Sequence, residues 1–190
     1  QAEFNFILRE YQKAEEILDK IDSTLLIEPR QHWYYDYLKG YVIALKKGTT
    51  AEAFFYFNRI IDEAPKEEMD ILVLLAYTGM GILYENIGEI QKAEYFFNKA
   101  ITDVYRYPIK ETHDIWRLLN IMYYCGSFYA NIEDYQTSDA LLTHGVKICS
   151  DNHVTYYLAR MTFQLAKNAV AQNKDCYEIM DLYYSTKAYA

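Results

Sequence analysis

The residues with the strongest intrinsic chemistry in this chain are three cysteines, Cys125, Cys149 and Cys176, and four histidines, His32, His113, His144 and His153. A thiolate nucleophile needs an adjacent base, and a metal site needs ligands at close spacing or on one helix face. The spacing meets neither condition. The cysteines are odd in number, widely spaced and without a CxxC pair, which fits reduced, buried thiols better than a disulfide frame or a zinc site. His144 and Cys149 lie five apart, off a common helix face. The carboxylates of "EEMD" and "AEE" start helices or line a solvated face. No P-loop, GxGxxG, HExxH or GxSxG sequence is present. The chain is therefore expected not to be an enzyme, with no catalytic residue, no metal and no cofactor.

What remains is recognition chemistry. The chain carries 21 tyrosines and several asparagines within predicted helices. An asparagine amide donates and accepts at once, which suits a peptide backbone, and a tyrosine adds apolar area with a polar tip and little entropy to lose. The formal charge of -8 argues against gripping a phosphate backbone. Short basic spots such as Lys46-Lys47 read as helix C-terminal charges, and a cationic or mostly apolar partner suits the chain better.

Such side chains act together only if rigid elements align them. Hydrophobic residues make up 52% of the chain against only 7 glycines and 3 prolines, so helices with short connections are expected. Pro29, Pro65 and Pro108 each lie between periodic stretches. Helices are predicted near 31–47, 50–63, 67–87, 89–106, 110–131, 133–149, 152–172 and 174–188, after a partial helix and one near 10–21. Gly48 is expected to cap the helix before it, and Thr49 or Thr50 the next one. "HVTYYL" has β-prone residues but runs into a helical pattern, so no sheet is expected. No apolar run approaches the roughly 20 residues that span a bilayer, and no membrane partner is expected. The chain begins with Gln, with no basic-then-apolar leader, and reads as a mature or truncated piece of a cytosolic protein.

The helix pairs repeat a pattern. Gly81, Tyr84, Ala93, Phe97 and Ala100 align with Gly126, Tyr129, Ser138, Leu142 and Gly145 at identical spacing, and less completely with Gly40, Ala53, Phe57 and Ile60. Small residues let paired helices approach, and large ones fill the holes between them. The repeat interval is 41 residues from Gly40 to Gly81 and 45 from Gly81 to Gly126. The fold class is all-α: antiparallel helix pairs, about 1–21, 31–63, 67–106, 110–149 and 152–188, stacked as one repeat domain.

Such an array exposes the first helices of its pairs on a concave face. The positions flanking the small residues give the candidate peptide-binding set: Tyr37, Tyr41, Thr78, Asn86, Asn120, Tyr123, Ser127, Asn131, Phe163 and Lys167. Arg160 and Asn168 share the last of these faces. Asn86 and Asn131 also suit helix ends, where asparagine caps. Asn120 sits mid-helix, where asparagine is mildly unfavourable, and so is the strongest single candidate.

The small–aromatic–alanine spacing resembles the tetratricopeptide repeat, with intervals longer than that family's roughly 34 residues and with tyrosine or methionine in place of its tryptophan. The resemblance implies a right-handed superhelix. Elongated, tyrosine-rich repeats such as "REYQKAEEIL" and "GEIQKAEYFFNKAI" are similar to the C-terminal peptide-sensing domains of Rgg, PlcR, PrgX, NprR and Rap-type regulators of Gram-positive bacteria. That likeness implies a short signalling peptide on the concave face, a homodimer, and DNA bound only through an N-terminal helix-turn-helix domain that this piece does not contain. Residues 174–188 are expected to form part of the dimer surface. The alternative is a scaffold that docks a protein tail, with no DNA-binding partner domain.

Overall fold

The computed structural model of the protein describes residues 1–46, 50–65 and 69–189. Among the described residues run ten α-helices and one 3-10 turn, with no strand. Contacts divide the chain into two compact units, residues 1–107 and 108–190. The first holds α1 (Ala2–Ile7), α2 (Tyr11–Leu18), α3 (Pro29–Leu45), α4 (Thr50–Glu63), α5 (Ile71–Asn86) and α6 (Ile90–Val104). The second holds α7 (Thr112–Asn131), α8 (Tyr135–Asp151), α9 (Leu158–Ala171) and α10 (Cys176–Tyr189). Within each unit consecutive helices pack as neighbours, α3 also touches α5, and α7 also touches α9. This is a tetratricopeptide-like, all-helical fold.

Helix starts follow local chemistry. Pro29 occupies the first turn of α3 behind a reciprocal cap between Glu28 and Gln31, and Glu111 with Asp114 forms the same device at α7. The Asp70 carboxylate accepts from Leu72 N at 2.8 Å at the start of α5, and Asp134 accepts from Thr137 N at 3.1 Å at the start of α8. Helix ends follow one pattern too. After α1, α5, α7, α8 and α9 the chain turns through a left-handed residue, Arg9, Gly88, Glu133, His153 and Asn173 respectively. The next amide then bonds back into the last turn, as from Glu89 N to Tyr84 O and from Asp134 N to Tyr129 O, both at 2.9 Å.

The small–large repeat sets the helix contacts. A methyl group on Gly81 would lie 2.8 Å from the Phe97 ring, and one on Gly126 would lie 2.7 Å from Leu142. Phe57 of α4 fills the equivalent hole twice over, 2.7 Å from a methyl on Gly40 of α3 and 2.2 Å from one on Gly79 of α5. Ring edges then build the core of the first unit. Phe6 meets Tyr41 at 5.5 Å, Tyr37 meets Tyr41 at 5.4 Å, and Tyr41 meets Phe57 at 5.5 Å.

Two boundaries differ from the sequence reading. Helix α5 begins at Ile71, where Asp70 caps it, rather than at 67; Lys47, Gly48 and Thr49, and the expected start at Glu67, lie outside the described residues. Helix α9 begins at Leu158 rather than 152, because His153 and Tyr157 both take left-handed backbone and break the run between α8 and α9.

Candidate functional site

The second unit concentrates polar chemistry on one face of α7. Trp116, Asn120, Tyr123 and Ser127 follow one another at spacings of 4, 3 and 4, which stacks them along that face. Every buried side-chain nitrogen or oxygen left without a hydrogen-bond partner among the described residues falls on it: Nε1 of Trp116, Oδ1 of Asn120 and Oγ of Ser127. Leaving a buried polar atom bare costs about 1–3 kcal/mol, so three on one stripe of one helix is a concentrated expense.

The start of α9 closes over this stripe. Asn120, only 2% exposed, donates from Nδ2 to the Tyr157 hydroxyl at 2.7 Å. Whichever way that amide turns, one of its polar atoms meets Tyr157 and the other is bare. The Tyr157 ring, 6% exposed, lies 5.5 Å from Tyr123, and the Arg160 guanidinium sits over it at 4.9 Å. Tyr157 itself has φ 60° and ψ -8°, left-handed backbone that a bulky residue seldom adopts and that costs about 1–3 kcal/mol. Its neighbour Tyr156 packs on Trp116 at 5.4 Å, and His113 packs on the same indole at 5.1 Å.

The structure thus brings together Asn120, Tyr123 and Ser127 and places the other sequence candidates elsewhere. Asn131 ends α7 and is exposed. Phe163, 52% exposed, and Lys167, whose ammonium lies 5.7 Å from the Phe163 ring centre, line an apolar groove of about 490 Å³ between α9 and α10. In the first unit, Tyr37 and Tyr41 are enclosed by the ring cluster, and the Tyr41 hydroxyl donates to Leu75 O at 3.0 Å. Thr78 is buried and donates to Leu74 O at 2.9 Å in its own helix. These three are core residues: Tyr37 is enclosed by rings, and the hydroxyls of Tyr41 and Thr78 are satisfied inside the helix stack. Asn86 donates to Ala44 O at 3.3 Å, tying the end of α5 to the last turn of α3.

Asn168 is likewise committed: it accepts from Gln164 at 2.9 Å and donates to Ser138 Oγ and Asp139, both at 2.8 Å. Sequence reading missed Trp116 and Tyr157. One more turn of the Asn120 face would have reached Trp116. Tyr157 leaves no such signal, since the sequence pattern there predicts a continuous helix.

His144 and Cys149 are not poised as a base and nucleophile. Burial pushes the Cys149 thiol up to about 11, and burial with the neighbouring Lys147 charge holds His144 below its ordinary value. No group of histidine, cysteine, aspartate and glutamate among the described residues is arranged to hold a metal ion. No helix among them is long and apolar enough to cross a membrane.

No family model matches the sequence, and no curated protein matches it. The structure is similar over the whole chain to a crystal structure of Bacillus thuringiensis PlcR in complex with the peptide PapR7 and DNA, with a TM-score of 0.80 at 12% sequence identity. The fold is PlcR-like. The chain spans 66% of the length of that PlcR chain. At this identity the PlcR likeness concerns the path of the helices, and the polar stripe on α7 stands on this chain's own residues.

Proposed function

We propose that this chain is the peptide-sensing domain of a transcriptional regulator of the quorum-sensing type, taking a short extended peptide along α7. One observation carries the reading: the unpartnered polar stripe of Trp116, Asn120 and Ser127, buried under the start of α9 and open to a peptide once that segment shifts. An indole N–H only donates, an amide oxygen only accepts, and a hydroxyl does either. A peptide main chain offers both roles at regular intervals. The stripe spans 11 residue steps, about 16 Å along the helix axis, which is the span of about five residues of extended chain. The PlcR structure, bound to a peptide and DNA, supports the reading at the level of fold.

A homodimer, and DNA reached through a separate N-terminal domain, belong to the same proposal. Tyr177, Met180, Tyr183 and Tyr184 of α10 are exposed and supply an apolar surface of the kind dimers cover.

The test is thermal unfolding with short hydrophobic peptides, wild type beside Asn120→Ala. A peptide held at 100 times its Kd adds about 2.7 kcal/mol, a rise in Tm of several degrees at this size. The expected result is a rise that Asn120→Ala weakens by at least half. If no peptide moves the midpoint while a folded protein does, the chain is a docking scaffold instead.

A further inference from the structure

Arg30 and Arg59 close on the carboxylates of Asp70 and Asp36. Arg160 has no carboxylate partner among the described residues, although it is half-buried and the chain carries 27 acidic side chains. Its guanidinium instead stacks on Tyr157, the ring that Asn120 bonds. Stacking uses the face of the guanidinium and leaves its edge, with the fork of N–H donors, unspent. Three residues thereby form one continuous unit: a bare amide oxygen on Asn120, the phenol of Tyr157, and the Arg160 guanidinium over that ring.

From this placement we infer that the α7 site, read as a peptide site above, recognises a carboxylate of its peptide through Arg160, which Tyr157 and Asn120 hold in place. The inference rests on the proposed peptide-sensing role and adds a chemical requirement to it. Planar, two-pronged donation fits a carboxylate better than any neutral peptide group, and such charge-assisted bonds are roughly twice as strong as neutral ones. A chain of net charge -8 repels an anionic ligand at long range, so a carboxylate is held only where a cation is uncompensated. Tyr157 is then a positioning residue: its left-handed backbone sets the ring on which Arg160 rests. The carboxylate comes either from the peptide's C-terminus or from an acidic side chain.

The experiment uses the full chain and pooled heptapeptides, long enough to overhang the stripe. One pool has free C-termini and no Asp or Glu; a second is the same pool amidated; a third is amidated but contains Glu. Apparent Kd is read by calorimetric titration for the wild type, Arg160→Gln and Arg160→Lys. Binding by the first pool and loss of about tenfold or more on amidation assign the C-terminal carboxylate, and recovery with the third pool assigns a side chain instead. Both support the inference, provided Arg160→Gln removes the preference and Arg160→Lys restores part of it. Equal binding of free and amidated acid-free pools by the wild type overturns the carboxylate while leaving the peptide site intact. If no pool binds at all, the peptide reading falls and takes the inference with it. The wild-type arms decide whether a carboxylate is recognised, and a preference retained by a folded Arg160→Gln variant overturns the role of Arg160.

Discussion

At the scale of single residues, the contrast is between polar groups that are satisfied and those that are not. Asn120 spends one end of its amide on Tyr157, 37 positions along the chain, and leaves the other bare. Asn168, a residue of the same type on α9, has both ends engaged by Gln164, Ser138 and Asp139. Composition does not separate these two asparagines; only the partner count does. Cys149 shows the complementary effect of burial on an ionisable group. Its thiol is pushed up to about 11, above the unfolded value near 9.0, chiefly by desolvation. The folded state therefore keeps the proton while the unfolded chain releases it, and stability is fully present below pH 9 and lost as pH rises toward 11. A loss of about 2 kcal/mol across that window is expected in urea unfolding, and Cys149→Ala should lack it. The same slope in Cys149→Ala would assign the loss to other groups.

At the scale of helices, the alternation of small and large residues determines how closely each pair packs. Gly81 and Phe97 are partners because a methyl on the first would sit 2.8 Å from the second. Gly81→Ala is expected to cost about 1–3 kcal/mol through overpacking. Phe97→Leu, which shortens the opposing side chain, should cost less in the Gly81→Ala background than alone. A double-mutant cycle by denaturant unfolding measures this coupling, and strict additivity would show that the two do not share a hole. The spacing behind this contact was legible in the sequence at Gly81, Gly126 and Gly40, since the hole and its filler lie on consecutive helices at a near-constant interval. Gly79 was not legible. It meets Phe57 from a helix outside the repeat unit, and the pattern carries no mark of that second contact.

At the scale of the whole molecule, two compact units divide the chain near Tyr107 and Pro108. The second unit contains all of the unpartnered stripe together with Tyr157 and Arg160, so the proposed site does not draw on the first. It has 83 residues and four helices, within the range in which single domains fold alone. A fragment covering 108–190 is expected to be helical by circular dichroism and to respond to the same peptides as the full chain. A fragment that folds but no longer responds would place part of the site in residues 1–107.

Taken alone, the sequence determined the helices, their pairing and the small–large fit within each pair. Those features rest on capping chemistry, turn residues and periodicity, all of which act over a few positions or one repeat. It also singled out Asn120 as a polar residue in the middle of a helix, which the proposed function builds on. Only the tertiary structure decided which of the candidate residues are spent in the core and which are left bare. Tyr41 meets Leu75 O and Asn120 meets Tyr157 across separations of 34 and 37 residues. A hydrogen bond saturates its partners, so whether a polar atom is free depends on every neighbour that the fold brings to it, and no local pattern records that sum.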